Sequence, residues 1–440
     1  MISARDHALA ELDAVRLPHW PANLMRRRGT RPDPRGPQEG QRPAPADPRD
    51  RALAERIIQG VIKNLLHLQW LIAYYTRRPI RQIDPLAQKI IAIGLYQLRF
   101  LSRIPPSAAV DQAVEQAKRV GHRHAAGFVN AVLRNATRDP GPQLPDRLME
   151  PARYAEIALS HPPPLYARLE RLLGAADAIR FCEHDNAEAP TIVRLFPSAT
   201  AEELRLADPA IMPHEQPGLY VISQASPMVL ADWAARGIAQ VQDPTAAGVV
   251  AELDVRPGQR VLDRCCGLGT KTMQLQALIG SDGAVVAMDP ADLRIRTLHR
   301  LVQQRGIDNV SLHQGGMLAD LPTASRGDFD RVLIDAPCSN SGVMARRADA
   351  RYHQDESTLA SLSRLQLRIL DDTAGALRPG GLLVYSTCSI WPEENQRQIE
   401  RFLQRHTTYR LVKQRTILPS LVSEPRQYHD GGYYAVLERT

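Results

Sequence analysis

Residues 260–272, Arg-Val-Leu-Asp-Arg-Cys-Cys-Gly-Leu-Gly-Thr-Lys-Thr, join a short apolar strand pattern to a turn with two glycines and the opening of a helix. That order begins a parallel α/β unit, and the chain after it repeats the alternation. Strand-like runs at 260–265, 284–289, 310–313, 331–335 and 382–386 are interleaved with helical patterns at 272–278, 293–305, 358–377 and 393–406. Alternation of this kind predicts a parallel sheet with helices on both faces. The run 433–438 follows 409–412 closely enough to add an antiparallel edge hairpin.

Upstream the pattern is different. The chain has 440 residues, more than the roughly 100–200 of one domain, so two or three domains are expected. Residues 1–16 carry Leu9, Leu12 and Val15 at helical spacing, enough for one short amphipathic helix. Between 18 and 50, eight prolines surround Arg26, Arg27 and Arg28. That composition cannot bury enough apolar surface to order itself, and a mobile loop is expected. From 51 to 137 the pattern is helical, with Leu53, Ile57, Ile58, Val61 and Leu65 on one stripe and Ala87, Ile90, Ile91, Ile93, Gly94 and Leu98 on another. Past prolines 140, 142 and 145, residues 151–223 combine a helix near 165–173 with a strand-like run at 191–196, a small α+β unit.

Lys+Arg 55 against Asp+Glu 48 gives +7, and only five of the cations are lysines. Arginine suits phosphate and base edges, so the bias permits a nucleic-acid partner. A GC-rich genome produces the same bias, so composition alone does not locate a binding face. The cysteines, Cys182, Cys265, Cys266, Cys338 and Cys388, are odd in number and contain no CxxC pair. That argues against a disulfide framework or a zinc knuckle and fits reduced cytoplasmic thiols, with no metal expected. Acidic Asp6, Glu11 and Asp13 interrupt the start, and Lys63, Asn64, His67 and Gln69 break the most apolar helical stretch. Neither a secretory leader nor a membrane span is expected.

In an open parallel sheet the residues just past each strand line the ligand crevice. After the first strand stand Cys265, Cys266, Gly267, Leu268, Gly269, Thr270 and Lys271, and after the second stands Asp289, about twenty residues beyond the glycine turn, where an acidic group commonly meets ribose hydroxyls. The loop lacks both the full GxGxxG and the GxxxxGK[ST] phosphate cradle. S-adenosyl-L-methionine, which has a ribose and no phosphate, fits what remains. After the fourth strand comes Asp335-Ala336-Pro337-Cys338, and after the fifth comes Ser386-Thr387-Cys388. Two thiols and a carboxyl group thus approach one crevice. A thiolate can attack an electron-poor ring carbon such as pyrimidine C6, which turns C5 into a nucleophile able to take a methyl group.

The runs DAPCSNSGV (335–343) and YSTCSIWPEEN (385–395) resemble those of the RNA cytosine-C5 methyltransferases. DRALAERIIQGVIKNLLHLQWLIAYYTRRPI, IGLYQLRFLSRIPPSAAVDQAVEQAK and GFVNAVLRN resemble the NusB-like region of the RsmB (Sun/Fmu) family, which acts on small-subunit (16S) rRNA. The likeness covers nearly all of the chain beyond about residue 51. It implies a multidomain chain. An all-α NusB-like RNA-binding domain would span 1–140 and a small α+β domain 150–225. A C-terminal α/β Rossmann-like class I methyltransferase domain using S-adenosyl-L-methionine would span 226–440.

Carried over by motif, Cys388 is the nucleophile that bonds to cytosine C6, and Cys338 assists release by promoting loss of the C5 proton. In the DNA cytosine-C5 enzymes the cysteine after proline is the nucleophile instead. Asp335 hydrogen-bonds the cytosine or the cofactor, Asp289 holds the ribose, and residues 265–271 wrap the methionine end. Val241-Gln242-Asp243 resembles the family's lead-in to this core, and residues 430–435 its closing strand. Two departures stand out. The family's CAAPGGKT loop is CCGLGTKT here, and the third strand, which usually ends in an acidic residue against adenine, has Gly316 at that position. If nothing replaces that acceptor, cofactor affinity would fall by about 1–2 kcal/mol, or roughly tenfold.

The resemblance further implies RNA contacts from the first two domains and from Arg346, Arg347 and Arg351, a target cytosine outside any stack, and steep salt dependence. No DNA or membrane partner is expected, and a cytoplasmic monomer is. Two other functions remain: a non-catalytic RNA-binding or ribosome-assembly protein with a drifted cofactor loop, and a tRNA cytosine-C5 methyltransferase.

Overall fold

The computed structural model describes residues 3–15, 45–322, 329–421 and 424–440, so most of the proline-rich stretch lies outside the described residues. The chain divides into two compact units: Met1–Asn186 with Ala348–His353, and Ala187–Arg347 with Gln354–Thr440.

The first unit is helical: α1 (Ala4–Ala14), α2 (Pro48–Lys63), α3 (Leu65–Thr76), α4 (Pro85–Phe100), α5 (Pro106–Arg119), α6 (Ala126–Arg138), α7 (Pro151–Ile157), α8 (Pro163–Leu173) and α9 (Ala175–Asn186). Local chemistry starts the helices. Asp47 caps α2 through the Arg49 N–H, and Asp84 caps α4 through the Ala87 N–H, each followed by a proline at the first helical position, where a missing N–H costs nothing. Every residue from Ala87 to Gln97 is buried, which makes α4 the central helix of the bundle. Its one buried ammonium, Lys89, meets Asp13 of α1 at 2.5 Å, so the first helix is fastened by charge as well as by Leu9 and Leu12. A Cβ on Gly60 of α2 would collide with the Tyr96 ring of α4. These two helices therefore approach closely only because that residue is glycine.

The expected middle domain is divided by this arrangement. Helices α7–α9 belong to the helical unit, where the Ser160 hydroxyl accepts the His67 N–H at 3.0 Å and His67 Nδ1 lies 3.1 Å from the Ile157 carbonyl. Its strands belong to the second unit.

There β1 (Thr191–Leu195), β2 (Met212–Pro213), β3 (Leu219–Ile222) and β4 (Ala239–Val241) form an antiparallel sheet in the order β2-β3-β1-β4, with α10 (Ala201–Arg205) and α11 (Pro227–Arg236) beside it in sequence. Helix α12 (Pro244–Ala251) leads into the main sheet. Its strands are β5 (Arg260–Asp263), β6 (Ala284–Asp289), β7 (Val310–Gln314), β8 (Phe329–Asp335), β9 (Leu377–Thr387), β10 (Tyr409–Ile417) and β11 (Gly432–Arg439), and its helices are α13 (Thr270–Ile279), α14 (Asp292–Gln304), α15 (Glu356–Thr373) and α16 (Gln396–Arg405). The order is β10-β11-β9-β8-β5-β6-β7. Strands β7, β6, β5, β8 and β9 run parallel, while β11 and β10 add the antiparallel hairpin, with β11 on the inside.

Alternate residues feed two cores. Leu262, Val286, Ile334 and Tyr385 enter one, and Val261, Val285, Leu333 and Val384 the other, as a sheet covered on both faces requires. Strand β5 has β6 on one side and β8 on the other, so the winding reverses there and opens a crevice past the ends of β5 and β8. Among the described residues no helix is long and apolar enough to cross a membrane.

Candidate active site

The β5 ladder continues one residue past the strand, with the Arg264 N–H on the Leu333 carbonyl at 2.9 Å. The Arg264 guanidinium is buried and donates to the Gly316 carbonyl (2.7 Å) and to Asp372 (2.8 Å). The loop then turns through two left-handed glycines, Gly267 (φ +56°) and Gly269 (φ +87°), a conformation that a side chain strains. A Cβ on Gly269 would meet Leu298, whereas one on Gly267 would find nothing within 4 Å. The open side of the turn therefore faces the crevice. The Gly267 N–H donates to Asp289 Oδ2 at 3.1 Å, and Asp289 Oδ1 accepts the Ala291 N–H at 2.9 Å. Oδ2 also faces the Arg294 guanidinium at 3.5 Å, so it is Oδ1 that keeps a lone pair for a hydroxyl.

Beneath the loop lies Asp263, which is fully buried. Its Oδ2 accepts the Thr272 hydroxyl at 2.7 Å and its Oδ1 has no hydrogen-bond partner. Burial pushes this carboxyl up to about 7 against the opposing pull of Thr272. Burial likewise raises the Cys265 thiol to about 12 and the Cys266 thiol further, so both are inert. Leu268 is exposed and Thr270 opens α13. Gly316 has open space where a side chain would be, with only Pro290 Cβ at 4.0 Å. The carboxylate at this end of β7 is Asp320, whose Oδ2 accepts the Gly316 and Met317 N–H groups at 2.7 and 2.8 Å.

The two cysteines and the carboxyl group singled out in the sequence gather past β8 and β9. Asp335 and Ser386 are register partners in these parallel strands, so the loops that follow travel side by side. Cys338 Sγ lies 3.1 Å from Cys388 Sγ, and Cys388 Sγ lies 3.1 Å from the Asn340 side-chain oxygen. The hydrogen bond to Cys388, then burial, hold the Cys338 thiol well above the usual thiol range. Lys271 reaches across from the cofactor loop and pairs with Asp335 Oδ2 at 2.6 Å, while Asp335 Oδ1 accepts the Ser386 hydroxyl at 2.9 Å. Burial pulls the Lys271 ammonium down, but Asp335 and, more weakly, Cys388 leave it above its ordinary value. A persistent cation thus stands near the Cys388 sulfur.

The structure brings together Cys388, Cys338, Asp335 and Lys271, with Asp289 and the 265–271 loop bordering the same crevice. Two basic residues expected to touch RNA are committed elsewhere. Arg351 is 1% exposed and lies in the helical unit, where it donates to the Lys63, Leu159 and Asp185 carbonyls and to Asn186 Oδ1. Arg346 donates to Asp430 at 2.8 Å and to the Pro190 carbonyl at 3.1 Å, and faces Asp243 at 3.7 Å. Arg347 is the exposed member of the three. The sequence reading passed over Glu394, a buried carboxylate that accepts from residues of both cysteine loops. The signal was present in the Pro392-Glu393-Glu394-Asn395 run, quoted above only for its likeness.

Residues 250–434 match the family described as 16S rRNA methyltransferase RsmB/F, and residues 4–138 match the NusB family. The chain is 32% identical to the probable ribosomal RNA small subunit methyltransferase B of Synechocystis over 83% of each protein. It is 33% identical to the ribosomal RNA small subunit methyltransferase B of Yersinia enterocolitica, over 88% of this chain and 90% of that one. A crystal structure of the protein PH0851 superposes with a TM-score of 0.75 at 22% identity, over 90% of this chain and 91% of that one.

Proposed function

Because the chain belongs to the RsmB/F family of small-subunit rRNA methyltransferases, we propose that it methylates C5 of a cytosine in 16S rRNA through a covalent bond between Cys388 and C6. The observation that carries the reading is the pair of sulfurs at 3.1 Å beside the Lys271–Asp335 pair. Family membership implies S-adenosylmethionine, and the residues present fit it. Gly267 and Gly316 leave open space, Asp289 Oδ1 has a lone pair left for a ribose hydroxyl, and buried Asp263 Oδ1 is unpartnered. When bound, this group supplies an electrophilic methyl.

The chain's own residues would divide the work as follows. Cys388 reacts as the thiolate once its proton has passed to solvent, and its sulfur bonds to C6 while the C5–C6 electron pair moves to C5. Asp335, held by Lys271 and Ser386, keeps one lone pair on each oxygen for the cytosine amino group and so orients the ring. After C5 has taken the methyl, its proton must leave before the C6–sulfur bond can break. Two of the three largest causes that raise the Cys338 thiol are owed to Cys388: their hydrogen bond and the charge on its sulfur. Both vanish once Cys388 is bonded to carbon. The Cys338 thiol then comes down, though burial still raises it, and once it has given its own proton to solvent it takes the C5 proton as the thiolate. Loss of that proton expels Cys388 as thiolate.

The drifted CCGLGTKT loop does not favour a non-catalytic reading, since both left-handed glycines and Lys271 keep their places. The test is to incubate the protein with S-adenosylmethionine and unmodified 16S rRNA and map the product by bisulfite sequencing. One protected cytosine is expected. A methyl group incorporated without bisulfite protection would overturn the C5 assignment.

A further inference from the structure

We propose that Glu394 is a positioning residue whose buried carboxylate clamps the Cys338 loop to the Cys388 loop and sets the spacing of the two sulfurs. Oε1 accepts the Ser339 N–H at 2.9 Å and the Gln366 side-chain amide at 3.0 Å. Oε2 accepts the Ser339 and Ser389 hydroxyls, each at 2.5 Å. Ser339 follows Cys338 and Ser389 follows Cys388, so one fully buried side chain grips the residue next to each thiol.

The surrounding bonds reinforce the same spacing. Gln366 also donates to the carbonyl of Pro337 at 2.9 Å, which brackets Cys338 from both sides. Asn395 accepts the Thr387 hydroxyl at 2.6 Å and donates to the Ser389 carbonyl at 2.8 Å, which brackets Cys388. The Tyr385 hydroxyl donates to the Glu394 carbonyl at 2.7 Å and fixes the clamp to β9.

All four hydrogen bonds that reach the Glu394 carboxyl are donated to it, two by N–H groups and two by serine hydroxyls, and a carboxylate is the acceptor-only group of this shape. Its oxygens are filled and shut away from solvent, so it neither touches substrate nor moves the C5 proton. A glutamine of the same size could keep its oxygen on the Ser339 N–H and the Gln366 amide only by turning its NH2 to the two serine hydroxyls, which would have to reverse and accept, and Ser389 Oγ already accepts the Trp391 N–H at 3.1 Å. The two loops would lose their common anchor.

The part this clamp plays in catalysis rests on the cysteine mechanism above, but its geometry can be tested without it. The full-length protein and its E394Q and Ser339→Ala variants are treated with the thiol oxidant diamide. Diamide accepts two hydrogens as two thiols join, and the Cys338–Cys388 disulfide is quantified by non-reducing peptide mapping. Single-turnover methyl transfer and the KM for 16S rRNA are measured alongside. Wild type should form the disulfide fastest. E394Q should form it about tenfold more slowly and transfer methyl about a hundredfold more slowly with KM nearly unchanged, as misplacement of reacting groups without loss of binding predicts. Ser339→Ala, which keeps the carboxylate and loses one donor, should fall between and serves if E394Q does not fold. Wild-type crosslinking rates in the folded variants would overturn the clamp. Slower crosslinking with unchanged methyl transfer would keep the clamp and sink the cysteine mechanism.

Discussion

Cys265 and Cys266 are neighbours in the chain and follow β5, whereas Cys338 and Cys388 stand fifty residues apart and follow β8 and β9. Burial dominates the first pair and holds both thiols too high to ionise near neutrality. In the second pair the leading influence on Cys338 is Cys388 itself. Nearness in sequence thus yields two packed sulfurs whose influence on each other is minor beside burial, and parallel strand pairing yields two for which it leads. Register explains the meeting: Asp335 pairs with Ser386, so residues two or three places further on emerge together at the crevice.

This contrast can be broken or sharpened by substitution. Cys388→Ala should lower single-turnover methyl transfer to 16S rRNA by at least about a thousandfold, and appreciable activity would remove Cys388 as nucleophile. Cys338→Ala should leave bond formation intact but slow turnover about a hundredfold, with a protein–RNA adduct accumulating on a denaturing gel. Absence of the adduct would place release with another group. Cys266→Ala should keep the rate within about threefold while the melting temperature drops by about 2–4 °C, as loss of a small buried side chain costs. A catalytic defect as large as that of Cys338→Ala would erase the distinction between the pairs.

The smallest effect concerns Asp263. Its carboxyl lies at about 7 in the folded protein against an ordinary 3.8, so between those values the folded state holds more proton than the unfolded chain. Stability from this group therefore falls as pH rises through that window and is level above it. Asp263→Asn keeps an acceptor for Thr272 and removes the titration. Its melting temperature relative to wild type should climb between pH 5 and pH 7.5. Parallel curves would mean that Asp263 is charged throughout.

The strand ends were legible because each carries its own punctuation. The glycine turn after Asp263, Asp289 closing β6, and the cysteines after β8 and β9 all stand where an alternating pattern puts them. The four-stranded sheet was legible only at β1, since β2 has two residues and β4 three, too few for a period to show. Arg346 and Arg351 were misread for another reason. A guanidinium's charge is visible in a sequence, but whether it is already satisfied is not. The acceptors of Arg351 lie 165 to 288 residues away along the chain. Glu394 was missed on the same ground, because its importance is conferred by donors at 339, 366 and 389.

Segment Ala348–His353 belongs to the helical unit although both its flanks belong to the other. Arg351 and Tyr352 are buried there, and the Tyr352 hydroxyl donates to the Ile62 carbonyl at 2.9 Å. The helical unit is consequently discontinuous in sequence. A fragment starting at residue 187 would keep every strand of both sheets, yet would release a buried cation and a buried phenol whose acceptors had all been cut away, thirteen and fourteen residues downstream of Cys338. Genetic dissection at that point should give an insoluble or inactive methyltransferase half. Recovering a separable one would require replacing those two side chains along with the cut.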